Sequence, residues 1–128
     1  MKILFDTHAF IWWDSNAARL SSEALQLCQD QENTLVLSTV SIWEMQSKHQ
    51  LGRLKLKLPL HNIVKAQQKN NGLEILPIIP VHVFALASLP LYHNDPFDRL
   101  IIAQARVENA VLLSCDPAVQ QYPVDIVW

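Results

Sequence analysis

Four short apolar runs recur along the chain: KILF at Lys2–Phe5, TLVL at Thr34–Leu37, LEIL at Leu73–Leu76 and VLLS at Val111–Ser114. Stretches with helical patterning separate them. Strands that alternate with helices build βαβ units, and these give a mostly parallel sheet covered on both faces. The expected fold class is therefore α/β, a three-layer α/β/α domain around a central sheet. With 128 residues, the chain is read as a single domain over 1–128.

The same patterning gives element boundaries. Helices are expected over Thr7–Trp13, about Ser21–Gln31 with Ser21 or Ser22 as cap, and Thr39–Leu51 ended by Gly52. Residues 53–60, RLKLKLPL, alternate with a two-residue period and predict an extended segment. Further helices are expected over about Leu60–Asn70, Pro80–Leu89 and Asp95–Asn109, a helical turn after Pro117, and an edge strand at Val124–Val127.

Half the residues are hydrophobic, which rules against disorder, and only two glycines occur, so no Gly-rich phosphate loop exists. The N-terminus has no secretory signal and no apolar run reaches membrane-spanning length. A cytoplasmic protein without a membrane segment is the expectation. Cys28 and Cys115 lack metal or redox spacing and read as reduced, half-buried thiols.

Net charge is −2, yet six of the ten basic residues lie between 48 and 69, a stretch without Asp or Glu. These are Lys48, Arg53, Lys55, Lys57, Lys65 and Lys69. Such asymmetry suits a protein that grips an anionic backbone and holds cations in an acidic pocket; a solvated surface is the alternative.

In open parallel sheets, ligands bind outside the carboxyl ends of the strands. Four acids map to that edge. Asp6 follows the first apolar run, Asp116 comes two residues after VLLS, Glu44 lies near the start of the helix after TLVL, and Asp98 lies in the first turn of the helix before VLLS. Each has a structural alternative. Asp6 and Asp116 can cap helices, Glu44 can close a capping box with Ser41 or pair with Lys48, and Asp98 can answer the helix dipole beside an Asp95 cap.

Together the acids are harder to explain as caps. Asp98 shares a helical face with Ile101, Ile102 and Ala105, and an unpaired charge there is expensive. Several carboxylates brought together cannot all stay ionised without a counterion. A divalent cation resolves the conflict, and an all-oxygen ligand set favours Mg²⁺ or Mn²⁺ over zinc. Such a centre suits phosphodiester hydrolysis.

The blocks DTHAFIWW, STVSIWEMQSKHQLGRLKL, HNDPFDRLIIAQA and LLSCDPAVQQYPVDIVW resemble the PIN-domain family, and within it the VapC-type toxins of toxin–antitoxin pairs. The resemblance spans nearly the whole chain, and the third block is its most specific part. It implies Mg²⁺- or Mn²⁺-dependent endonucleolytic cleavage of RNA. It assigns Asp6, Glu44, Asp98 and Asp116 as metal-binding and catalytic acids, with Asp6 and Asp98 the most direct ligands and Thr7 a supporting hydroxyl. Asp98 is preferred to Asp95 because it precedes the LIIAQA helix. Partners implied are an RNA substrate, a cognate antitoxin and a second copy of the chain in a homodimer.

Trp12, Trp13 and Trp43, with Leu51, Leu54, Leu56 and Leu58, are divided between core packing and an exposed groove that an amphipathic antitoxin segment would fill. Arg99 is expected to pair with an acid such as Asp95, or to contact phosphate. His8 and His93 flank two of the acids and are read as non-catalytic. Two rival readings are a PIN nuclease that works without an antitoxin and a non-catalytic protein-binding module.

Overall fold

The computed structural model describes residues 1–128. Each apolar run forms a strand: β1 Lys2–Phe5, β2 Thr34–Ser38, β3 Glu74–Leu76 and β4 Val111–Leu113, with a two-residue edge strand β5 at Ile126–Val127. The helices are α1 Thr7–Ser15, α2 Ser22–Gln29, α3 Thr39–Gln50, α4 Leu60–Asn71, α5 Pro80–Phe84, α6 Pro96–Val107 and α7 Pro117–Gln120.

The sheet has the order β3-β2-β1-β4-β5, and every pair is parallel. The chain moves outward from β1 to β2 and β3, then crosses back to place β4 on the other side of β1. The order reverses between β1 and β4, which is where a crevice opens at the carboxyl ends of strands.

Side chains alternate across the sheet and so divide the core in two. Ile3, Phe5, Leu35, Leu37 and Leu113 face one layer with Phe10 of α1, Ala24 of α2 and Ile63 of α4. Leu4, Val36 and Leu112 face the other, against Ile101, Ile102 and Ala105 of α6. The three-layer α/β/α expectation is met.

Helix ends follow local chemistry. Ser21 accepts from the Ala24 N–H at 3.0 Å as the cap of α2. Gly72 closes α4 with φ +66°, and Gly52 follows α3 with φ +73°, conformations that favour glycine.

Residues 53–59 belong to no helix or strand, and two other expectations are corrected. Leu54 and Leu56 lean on the core while Leu58 is exposed, so the two-residue period survives as alternating burial without sheet pairing. The helix expected over Pro80–Leu89 stops at Phe84 and tightens into a 3-10 turn over Ala85–Ser88. No capping box joins Ser41 to Glu44, because Ser38 caps α3 by accepting from Val40 N–H at 2.9 Å.

One buried polar chain ties α5 and α6, which cover the same face of the sheet, to the end of β2. The Ser38 hydroxyl donates to Gln104 Oε1. Gln104 Nε2 donates to the Pro77 carbonyl at 3.3 Å and to His82 Nδ1 at 3.2 Å. His82 Nε2 lies 3.0 Å from Glu108 Oε2, and this bond holds the Glu108 carboxyl below its usual range. Ser38, His82 and Gln104 are completely buried.

Gln104→Ala would strand the Ser38 hydroxyl proton and the Pro77 carbonyl and leave a cavity; His82 Nδ1 keeps the Ile79 N–H at 3.2 Å. The expected loss is about 2–4 kcal/mol, read as a lowered urea midpoint with an unchanged slope. A loss under about 1 kcal/mol would show that this network does not hold the layers.

Candidate active site

The switch between β1 and β4 gathers the acids. Asp6 follows β1, and its N–H donates to the Leu113 carbonyl at 3.1 Å, so the β1–β4 ladder runs one residue past the strand into the site. Its Oδ1 accepts from the Ala9 N–H at 2.7 Å and caps α1. The cap reading is therefore correct, and it leaves other acceptor capacity on the carboxylate.

Ser114, the residue after β4, is fully buried. Its oxygen accepts from the Asp116 N–H at 3.2 Å, and its side chain lies close enough to Asp6 to work against the rise in that carboxyl's pKa. Asp116 in turn caps α7 through Ala118 N–H at 2.9 Å.

Asp98 stands in the first turn of α6, partly buried. Its N–H donates to Asp95 Oδ1 at 3.0 Å, so Asp95 is the cap of α6, as its position before Pro96 suggests. Asp98 Oδ2 lies 3.3 Å from His93 Nε2.

Glu44 lies on α3 and is buried, with both oxygens engaged. The Thr7 hydroxyl donates to Oε1 at 2.6 Å, and Lys48 Nζ donates to Oε2 at 2.5 Å. Ser41 Oγ stands 3.0 Å from the Thr7 oxygen. Thr7 thus bonds directly to one of the four acids. Lys48 is committed to the site, while Arg53, Lys55, Lys57, Lys65 and Lys69 are exposed.

Protonation reports the crowding. Burial pushes the Asp6 carboxyl up, with the Asp116 charge adding to the effect. Asp98 is pushed up to about 6, first by burial, then by the charges of Asp95, Glu44 and Asp116. The carboxylates feel one another, yet no three of the His, Cys, Asp and Glu side chains converge closely enough to hold a metal ion as they stand. The donor chemistry fits a hard divalent cation, because these are oxygen ligands whose ionised forms lack a sufficient counter-charge.

One expectation about neighbours is corrected. Arg99 forms no ion pair with Asp95; its Nη1 donates to the Pro90 carbonyl at 2.7 Å and to Tyr122 Oη at 2.9 Å. A carbonyl and a buried phenol have no sequence signature as guanidinium partners, so local charge misled. The tryptophans divide between surface and core, and Trp43 of α3 is on the surface side. It is exposed and meets the Phe97 ring edge-on at 4.8 Å, whereas Trp13 stacks on Phe5 at 5.0 Å. Ser114 and Tyr122 were not singled out from sequence, since a lone Ser or Tyr reads as ordinary core.

The raised acids give a sign for metal-free stability. Folded Asp98 keeps its proton to a higher pH than the unfolded chain, so it stabilises at low pH and loses that contribution as pH rises through about 6. In EDTA, stability from this group should fall between about pH 4.5 and pH 6.5, and Asp98→Asn should flatten that slope. A chemical-denaturation series across the window checks this; the same slope in parent and variant would contradict it.

The sequence matches the PIN domain family over residues 3–124. Among curated proteins nothing matches it. Among solved structures, the chain is similar to one in VapBC2 from Rickettsia felis bound to a promoter DNA fragment, with TM-score 0.74 and 18% identity, covering 99% of this chain and 98% of that one. A chain of DNA-bound VapBC from Salmonella typhimurium gives 0.70 and 16%, covering 99% and 97%. A chain of FitAcB from Neisseria gonorrhoeae gives 0.59 and 18%, covering 98% and 96%. These likenesses show a shared fold, and the family match across almost the entire length shows that this chain belongs to the PIN domain family.

Proposed function

We propose that this chain is a divalent-metal-dependent endoribonuclease and the toxin of a toxin–antitoxin pair. One observation carries the catalytic half. Asp6, Asp98 and Asp116 lie around the sheet's switch point, where the Asp116 charge acts on both others, and Asp6 and Asp98 are held above the usual carboxylate range. Nuclease activity and a need for divalent metal are general in PIN domains, which supports the same reading.

Asp6, Asp98 and Asp116 would hold Mg²⁺ or Mn²⁺, with Glu44 joining if Lys48 releases it. When bound, the ion polarises a phosphoryl oxygen, lowers the pKa of water and neutralises charge on the leaving oxygen. The chain supplies orientation. The Ala9 and Ala118 N–H groups fix the Asp6 and Asp116 carboxylates, so little reorganisation is needed when charge develops. Thr7 and Lys48 hold Glu44 against α1. The exposed cations of 53–69 supply attraction for a phosphate backbone.

Purified protein should cut RNA with Mg²⁺ or Mn²⁺ and stop in EDTA. Asp6→Asn and Asp98→Asn should each reduce cleavage by more than about 100-fold, since losing even a supporting group around a metal costs 10–100-fold. In EDTA at neutral pH both variants should remain folded, because each removes a poorly solvated charge. Full cleavage by either variant would sink the assignment.

The partner half rests on shape. A groove of about 390 Å³ runs between α1 and α4, lined by Phe10, Ile11, Leu56, Leu58 and Ile63 with Lys55 and Lys57 at its rim. A second hollow shares Ile11 and Met45 and reaches Thr7, His8 and Lys48. An amphipathic segment could lie along this trough and end at the acids. VapBC and FitAB are toxin–antitoxin assemblies of the same fold, in keeping with such an occupant.

For self-association the candidate face is α5, where Val81, Val83 and Phe84 are exposed. In sedimentation, Phe84→Glu should yield monomers and Leu58→Glu should lose antitoxin binding but keep metal-dependent cleavage. A dimer intact in the first, or an unaltered complex in the second, would place those contacts elsewhere.

A further inference from the structure

Tyr122 follows α7 and is buried, remote in sequence from the HNDPFDR block. Its hydroxyl nevertheless sits at the centre of that block's hydrogen bonds. Arg99 Nη1 donates to Tyr122 Oη at 2.9 Å, and the His93 backbone N–H donates to the same oxygen at 3.3 Å. Arg99 is itself fixed by the Pro90 carbonyl at 2.7 Å. His93 Nδ1 lies 2.8 Å from Tyr122 Oη, and His93 Nε2 lies 3.3 Å from Asp98 Oδ2.

Counting protons gives the direction of each bond. A phenol oxygen has two lone pairs and one proton. Two N–H groups already point at it, so its own proton goes to the remaining neighbour, His93 Nδ1. A neutral imidazole that accepts at Nδ1 carries its hydrogen on Nε2. That hydrogen faces Asp98 Oδ2. The order is Arg99 to Tyr122 to His93 to Asp98, each donating to the next. The Tyr122 ring adds edge contacts with Tyr92 at 5.1 Å and His93 at 5.4 Å, which hold the imidazole plane.

We propose that Tyr122 is a positioning residue for the metal centre. Its hydroxyl, locked by Arg99, keeps His93 in the tautomer that binds Asp98 Oδ2 and so leaves Oδ1 for the cation. This rests on the metal-dependent reading above. The relay also joins the chain segment that follows Asp116 to the helix that bears Asp98, so two acids from separate elements share one support. Outer groups of this kind orient ligating side chains around metals.

The test uses the full chain without RNA, with Mn²⁺ as the probe and free Mn²⁺ measured by electron paramagnetic resonance. Tyr122→Phe keeps the ring and removes only the hydroxyl. Tyr122→Phe and His93→Ala should each weaken Mn²⁺ binding roughly 10–100-fold. His93→Gln, whose amide N–H reaches about as far as Nε2, should recover most of the affinity, which a merely space-filling role would not produce.

An independent readout is the long-range ¹H–¹⁵N spectrum of the metal-free protein at about pH 8, which reports which ring nitrogen carries hydrogen. The parent should show His93 with hydrogen on Nε2, and Tyr122→Phe should shift it toward the other tautomer. The proposal is overturned by a parent carrying hydrogen on Nδ1, by parent-like Mn²⁺ affinity in Tyr122→Phe, or by His93→Gln binding as weakly as His93→Ala. A parent that binds no Mn²⁺ overturns the metal-dependent reading and this proposal together. Normal Mn²⁺ binding in every variant overturns this proposal alone.

Discussion

Strand β1 is buried on both faces and paired on both edges, and the other elements take their positions from it. Its register aligns Ile3 with Leu35 and Val111, and Leu4 with Val36 and Leu112. Because β1 comes first in the chain and is still paired on both edges, the chain must leave it toward β2 and later return past it to β4, which puts a switch point at its carboxyl end. Asp6 stands there, and its N–H still belongs to the β1–β4 ladder. The same hydrogen bonds that complete the sheet therefore hold the first acid in place.

Placing carboxylates at a crowded, partly dry edge opposes folding in their ionised form. Asp6 and Asp98 carry that cost as raised protonation, while Glu44 is ion-paired with Lys48. A site built only for stability would pair the first two as well. Stability is recovered elsewhere: by the doubly covered sheet and by the buried chain from Ser38 through Gln104 and His82 to Glu108. No buried side-chain nitrogen or oxygen is left without a hydrogen-bond partner. The strain at the acids is electrostatic, not a packing fault.

Much of this was legible in the chain itself. Consecutive apolar residues marked strands covered on both sides, and all four long runs became parallel strands. Ser21, Asp6, Asp95 and Asp116 announced caps by their position before helical patterning, and each caps a helix. The capping reading and the functional reading of Asp6 and Asp116 did not compete, because one carboxylate oxygen serves the helix and acceptor capacity remains. The illegible parts involve partners distant in sequence. Arg99 bonds a phenol 23 positions away. The RLKLKLPL segment kept its period but found no strand partner, since pairing depends on an available edge, not on pattern.

By itself the sequence determined the fold class, the strand and helix inventory and the candidate acids, because burial period, caps and apolar runs act over a few residues. Only the tertiary structure decided how those acids are used. It joined Glu44 of α3 to Thr7 of α1, left Asp6 and Asp98 short of counter-charge, and turned Tyr122 and His93 toward Asp98. Those outcomes depend on desolvation and on hydrogen-bond directions between elements that meet only after the sheet has formed, and no local pattern encodes either.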